Sequence, residues 1–340
     1  MLGSYRLFLA VMVVVGHLAG VPKIGGYAVF GFYLISGYLM TLVIQRAYGY
    51  GVVGFAYYAL NRFLRIYPAY WVSILLSLFL IYMFGAEFFA RYRREIALPD
   101  GGLEWARNVL IYFPGLEAPR LTPPSWALTV ELAFYIAIGL GLSAGKKTTA
   151  VWFFCSVGYH VGALLLGRGY EERYFPVWAA SLPFSTGAAM YHFKSHIKRA
   201  VTGIPFFSNP LMIPVLGVMF FANWYVGQEL GVSGSVSFYI NFLICCLALV
   251  GFAFVWPRSF GNDIDGVLGS LSYPVYLLHY QVGAMVLFIF SALGVEMRRG
   301  EVGFLLAALP FVMLVAYLMV VLIERPIEGV RVRVKSNVIR

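Results

Sequence analysis

The chain has 340 residues, of which 61% are hydrophobic and only 12% charged, where a soluble protein carries about a quarter of its residues charged. That composition excludes a soluble globular protein of this length and fits one polytopic membrane bundle over residues 1–340, with no appended soluble domain. The net charge of +10 sits in short loops between apolar runs, so it orients a chain in a lipid bilayer; no nucleic-acid partner is expected.

Ten apolar runs are long enough, or nearly so, to span a bilayer: roughly 5–22, 27–45, 68–84, 125–143, 149–167, 176–192, 210–227, 236–256, 271–293 and 302–323. The shortest, 176–192, carries Pro183. The expected fold is all-α, with about ten transmembrane helices, and an even count puts both termini on one side.

The first run contains two residues foreign to hydrocarbon, Arg6 and His17. Eleven helical steps separate them, within roughly 20° of three full turns, so they share a face about 16 Å apart along the axis. An ionisable group at membrane depth marks a functional site by default, although a buried histidine can also be satisfied by a neighbouring helix. Arg6, the apolar run and Ala19-Gly20 loosely imitate a signal peptide. Against that, His17 interrupts the apolar core and another run follows at once, so the segment reads as a retained helix.

The second run carries Gly31, Ser36 and Gly37. Ser36 lies about 13 Å below the outer boundary, near the depth His17 reaches from inside. The glycines also suit plain helix packing. The inner loop 46–67 ends in Arg62-Phe-Leu-Arg65-Ile-Tyr-Pro68. Two arginines three apart share a face if the stretch is helical, although inner-face anchoring explains them equally. Pro68 is expected to start the next span. The outer loop 85–124 mixes charges with Pro114, Pro119, Pro123 and Pro124 and reads as either a connector or a lid.

The fourth run holds Glu131, the one carboxylate within a predicted span, with Tyr135 a turn further on the same face. An ionised Glu in hydrocarbon needs a partner, water or a proton. In the ninth run Ser272, Tyr276 and His279 lie on one stripe. His160, His192 and His196 carry no comparable pattern. Cys155, Cys245 and Cys246 lack metal-ligand spacing, so no metal is expected.

With the N-terminus inside, the inner segments hold fifteen basic residues and four acids, while the outer segments hold ten of each. The positive excess on one face follows the positive-inside rule and makes both termini cytoplasmic.

Taken together, these stretches resemble the acyltransferase-3 family, bacterial integral-membrane O-acyltransferases that modify surface glycans and some other acceptors. The resemblance rests on Arg6 and His17 at the family's spacing, Phe-Tyr-Leu-Ile-Ser-Gly ending at Gly37, and Arg62 to Pro68. It continues with Ser125-Trp-Ala-Leu-Thr-Val-Glu131, Ser272 to His279, and Glu324-Arg325-Pro326. The motifs run in the family's order from Arg6 to Pro326; the stretch 144–260 adds only hydrophobic pattern.

The resemblance implies an enzyme of the bacterial inner membrane that takes an acyl group, acetyl by default, from cytoplasmic acyl-CoA to a hydroxyl of a glycan or lipid-linked saccharide at the outer face. No permanently bound cofactor is implied. His17 and Glu131 become the catalytic candidates, with neutral histidine suited to proton abstraction near pH 7 and Glu131 either orienting His17 or binding the acceptor. Arg6, Arg62 and Arg65 become candidates for the donor's phosphates, whose oxygens match guanidinium forks. Ser36, Tyr135, Ser272, Tyr276 and His279 would line the site. A transporter or flippase using His and Glu as a proton relay is the alternative, but neither an inverted repeat nor paired broken helices is visible. A purely structural membrane protein would not need charges at matched depths.

Overall fold

The computed structural model describes residues 2–117, 119–255 and 262–336. Arg258 and Arg340, both counted as inner charges, and residue 256 at the end of the eighth run lie outside the described residues. Among those described there is no strand.

Fifteen α-helices follow one another, beginning with α1 (Leu2–Leu18), α2 (Ile24–Val43), α3 (Val52–Phe84), α4 (Ala86–Tyr92) and α5 (Gly102–Leu110). Then come α6 (Ser125–Ala137), α7 (Lys146–Leu165), α8 (Ser181–His192), α9 (Lys194–Val201) and α10 (Pro205–Ser208). The last are α11 (Met212–Glu229), α12 (Val236–Val250), α13 (Asn262–Ala292), α14 (Val302–Met319) and α15 (Arg325–Ser336). All ten apolar runs coincide with helices, but among the described residues seven helices are long and apolar enough to cross a membrane, with the apolar α1 a little shorter. The weak sixth run forms α8, only 12 residues long.

Two expected boundaries move. The stretch expected as the inner loop 46–67 is helical from Val52, and α3 continues unbroken through Pro68 to Phe84, 33 residues or about 50 Å. Pro68 removes one backbone N–H but does not end the helix, and α13 buttresses this turn through Tyr273, whose hydroxyl donates to the Ile66 carbonyl at 2.9 Å. Likewise α13 starts at Asn262, well before the apolar run at 271, so its polar first turns are folded into the same rod. Four helices (α2, α6, α12 and α14) finish in a widened π turn, at Ile44–Tyr48, Ile138–Leu142, Gly251–Val255 and Val320–Glu324.

The α1–α13 pair forms the centre of the bundle. Asp265 of α13 caps α1: its carboxylate accepts from the Gly3 and Ser4 backbone N–H groups (3.1 and 2.8 Å) and from the Ser4 hydroxyl (2.7 Å). These are first-turn donors with no partner inside their own helix. Further along, His17 meets His279. The sequence offset is 262 at both contacts, so the two helices run parallel and in register over about four turns.

The long connection between α3 and α6 is neither extended nor loose. Asn108 of α5 accepts from the Leu121 N–H and donates to the Pro119 carbonyl (2.8 and 2.9 Å). Ser77 donates to the Leu121 carbonyl (2.6 Å) and Tyr92 to that of Tyr280 (2.9 Å), which fastens the connection to α3 and α13 as a folded cap.

Helices α2 and α8 cross at backbone contact: a Cβ at Gly187 would run into the Leu34 carbonyl, and one at Gly37 into that of Phe184. By contrast, a Cβ at Gly162 of α7 meets open space. Gly187→Ala is therefore expected to destabilise the protein by about 1–3 kcal/mol, while Gly162→Ala leaves it unchanged or slightly more stable. Thermal unfolding midpoints of the two variants in detergent check this; equal midpoints would show that the α2–α8 crossing has room to relax.

Candidate active site

Two cavities are stacked along the helix axes. On α1, Arg6 borders the first and Val13, Gly16 and His17 the second; on the antiparallel α2 the order reverses, Ser36 bordering the first and Gly25 and Gly26 the second. Val29 and Tyr276 border both and form the partition between them. Volumes of about 450 and 360 Å³ place both within the range of small-molecule sites.

The first cavity gathers residues from six helices. Arg6 (α1), Arg62 and Arg65 (α3) and Ser272 (α13) border it, together with Ser36 (α2), Glu131 and Tyr135 (α6). Arg331 of α15 borders it as well, a residue that sequence reasoning counted only as an inner charge. The unbroken α3 is what turns Arg62 and Arg65 to one face.

These guanidinium groups are differently engaged. Arg65 pairs with Glu324 at 2.7 Å and lies over the Tyr273 ring. Arg331 pairs with Glu328 of its own helix and reaches Asn61 Oδ1 at 3.3 Å. Arg62 donates to Asn61 Oδ1 (2.7 Å) and to Met40 Sδ (3.6 Å), both uncharged acceptors. The buried Nε atoms of Arg62 and Arg331 have no partner among the described residues. Glu131 accepts from Ser36 Oγ (2.6 Å) and from the Tyr135 hydroxyl, so its partners are two hydroxyls. Ser272 is fully buried and spends its hydroxyl on the Gly269 carbonyl (2.8 Å).

The second cavity contains His17. The expectation that Glu131 might orient His17 is not met, because Glu131 borders the other cavity while His17 is held by His279. His17 Nδ1 lies 2.9 Å from His279 Nε2, with the rings inclined at only 13°. His279 is fully buried, and its Nδ1 lies 2.7 Å from the Tyr276 carbonyl oxygen.

That chain of contacts assigns the protons. A carbonyl oxygen only accepts, so His279 Nδ1 carries hydrogen; neutral His279 then offers Nε2 as an acceptor. His17 must donate from Nδ1, which leaves the lone pair on His17 Nε2. Charging either ring here would bury a cation with no carboxylate against it, which is costly. Backbone geometry in α13 thus makes a potential proton acceptor out of a side chain on α1. Tyr280 stacks on His17 (5.0 Å between centroids), and the Tyr276 hydroxyl donates to the Pro124 carbonyl at 3.0 Å, fixing the partition.

Of the remaining histidines, His196 is exposed and the other two are held by local hydrogen bonds. His160 is bonded to the Ala179 carbonyl and the Tyr239 hydroxyl, and His192 to the Ser143 carbonyl. Cys155, Cys245 and Cys246 are unbridged, and among the described residues no cluster of His, Cys, Asp or Glu could hold a metal ion.

An all-helical bundle with a histidine pair beside one cavity and Arg6, Arg62 and Arg65 around the other fits a membrane-embedded group-transfer enzyme. Residues 4–321, nearly the whole chain, match the family model described as an acyltransferase domain. The chain belongs to the acyltransferase-3 family, and is thus a membrane acyltransferase. No curated protein matches it, and no solved structure does.

If His279 sets the tautomer of His17, removing its acceptor nitrogen should impair catalysis without touching substrate binding. We expect His279→Phe to lower kcat by at least about ten-fold, part of the roughly 10²–10⁴-fold a general base contributes, at unchanged KM for the donor. His279→Gln, which keeps an acceptor oxygen, should recover part of the loss. A purely structural role would instead lower the folded yield and leave the kcat of the folded fraction near normal.

Proposed function

We propose that the protein transfers an acyl group, acetyl by default, from cytoplasmic acyl-CoA to a hydroxyl of a glycan or lipid-linked saccharide on the outer face of a bacterial inner membrane. The observation that carries this reading is the stacking of two cavities on a shared partition, Arg6, Arg62 and Arg65 bordering one and His17 the other.

In this reading the donor's phosphates lie at the arginine cavity, and its thin arm passes Val29 and Tyr276 to bring the thioester to His17. The acceptor hydroxyl enters the second cavity. His17 Nε2 takes its proton as the oxygen attacks the thioester carbonyl; the C–S bond then breaks, and the departing thiolate recovers the proton from His17.

All ten apolar helices cross the membrane in this account, including the short α1 and α8 and the 18-residue α11. Two observations support an even count with both termini cytoplasmic: the surplus of positive charge on one face, and the presence of Gly3 near one end of the chain and Arg331 near the other around the same cavity.

Sealed vesicles of known orientation, supplied with labelled acyl-CoA on one side, test the sidedness. Label should reach acceptor held on the opposite side, and His17→Ala should reduce transfer on the order of a hundred-fold or more while still inserting. Labelling only when both substrates share a side would overturn transfer across the membrane and leave acyl transfer itself standing.

The arginines should separate by their partners. Arg62, whose side-chain acceptors are uncharged, should bind donor, so Arg62→Ala raises the donor KM and Lys restores it only partly. Arg65→Ala strands the part-buried Glu324 without its cation, so it should cost stability, by about 1–3 kcal/mol, and Glu324→Gln should restore part of it. Donor titration and thermal unfolding on the same preparations distinguish the two effects.

A further inference from the structure

The second cavity has a charge that proton abstraction does not require. Lys23, Arg93 and Arg120 border it, with Glu95 as the one carboxylate on its wall. Glu95 Oε1 is shared, 2.8 Å from Arg93 and 3.9 Å from Arg120. Lys23 donates to Ser233 Oγ at 2.9 Å and lies over the Tyr170 ring, 5.8 Å from its centroid. With His17 neutral, two positive charges remain in excess. Arg120 is only 3% exposed, and burial depresses its pKa against the pull of Glu95. The buried Nε atoms of Arg93 and Arg120 have no partner among the described residues. Arg120 is desolvated and shares its carboxylate with Arg93, an arrangement that an incoming anion would stabilise.

Lys23 is also held under backbone strain. Its φ is +62°, a left-handed conformation rare outside glycine, asparagine and aspartate. Pro22, just before it, is anchored through its carbonyl to Trp224 Nε1 (2.9 Å) and Gln228 Nε2 (3.2 Å). Strain of this kind persists where surrounding structure enforces it, and it is concentrated at functional sites. The wall is also aromatic: Trp126 lies edge-on to Tyr174 (5.4 Å), and Tyr174 stacks on Tyr170 (5.1 Å), the ring beside Lys23. Aromatic rings next to fixed polar groups suit a ring that has one apolar face and hydroxyls on its rim.

We infer that the acceptor is an acidic saccharide, a sugar carrying a carboxylate or phosphate that sits among Lys23, Arg93 and Arg120, with its ring against the aromatic wall and a hydroxyl at His17 Nε2. The inference deepens the acyl-transfer reading above and rests on it only for the role of His17.

Binding to the full-length protein in nanodiscs, with no donor present, tests it. The probes are methyl glucuronide, glucose 6-phosphate, methyl glucoside and inorganic phosphate, with affinities read by calorimetry. At least one acidic sugar should bind ten-fold or more tightly than methyl glucoside, and more tightly than phosphate. Lys23→Asn removes the charge but suits the left-handed backbone, and Lys23 is exposed, so this variant should fold normally. It should reduce the acidic preference at least three-fold and leave glucoside affinity unchanged. Equal affinity for acidic and neutral sugars, or binding of neither acidic sugar, overturns the inference, as does phosphate binding as tightly as the sugars. Because no donor is present, each of these outcomes leaves the role of His17 to be decided by turnover of the His17→Ala protein.

Discussion

The parallel pairing of α1 with α13 is the constraint on which the site depends. One carboxylate, Asp265, satisfies the first-turn donors of α1 and so sets the register of the two helices. Left unpaired in their part-buried setting, those donors would cost about 1–3 kcal/mol per group. Once that end is fixed, two rigid rods of equal rise carry the register about four turns further, where His17 arrives opposite His279. A slip of one residue at Asp265 would rotate His17 by about 100° and dissolve the histidine pair.

The polar groups in this bundle are met in three different ways. Asp265 and Glu324 are matched to donors or a cation at helix ends, which stabilises the architecture. Glu131 is met only by hydroxyls. His17 and His279 satisfy each other through neutral hydrogen bonds ending on a backbone carbonyl. The third solution suits a base, because it preserves a lone pair on Nε2 without placing a charge in the bilayer. Val29 and Tyr276 stand between this base and Arg6, Arg62, Arg65 and Arg331, while its own cavity is bordered by Lys23, Arg93 and Arg120.

Much of this was legible in the chain because the bilayer imposes simple rules. Apolar length revealed where helices lie, and all ten runs are helical. The scarcity of polar residues in those runs pointed to Arg6, Ser36, Glu131, Tyr135, Ser272, Tyr276 and His279, and every one but His279 borders a cavity. His279 stands immediately behind His17. The helix ends were less legible. Residues 52–67 are too polar to read as a span, but they form the first turns of α3, because a helix that begins in a polar layer keeps its backbone bonds as it enters the lipid.

By itself, then, the sequence determined the all-helical membrane class, the acyltransferase-3 resemblance and the short roster of residues able to do chemistry, since hydrophobicity, helical period and the rarity of buried charge are one-dimensional properties. The partnerships were decided only by the tertiary structure. That His17 is served by His279 rather than Glu131, that Glu324 occupies Arg65 and that Arg331 joins Arg62 depends on how rods from distant parts of the chain are rotated against one another. The same holds for Lys23, Arg93 and Arg120, which in the chain are ordinary loop charges balanced by acids. They become a cluster of three cations against one carboxylate, Glu95, because folding draws them around one cavity and leaves most of those acids elsewhere.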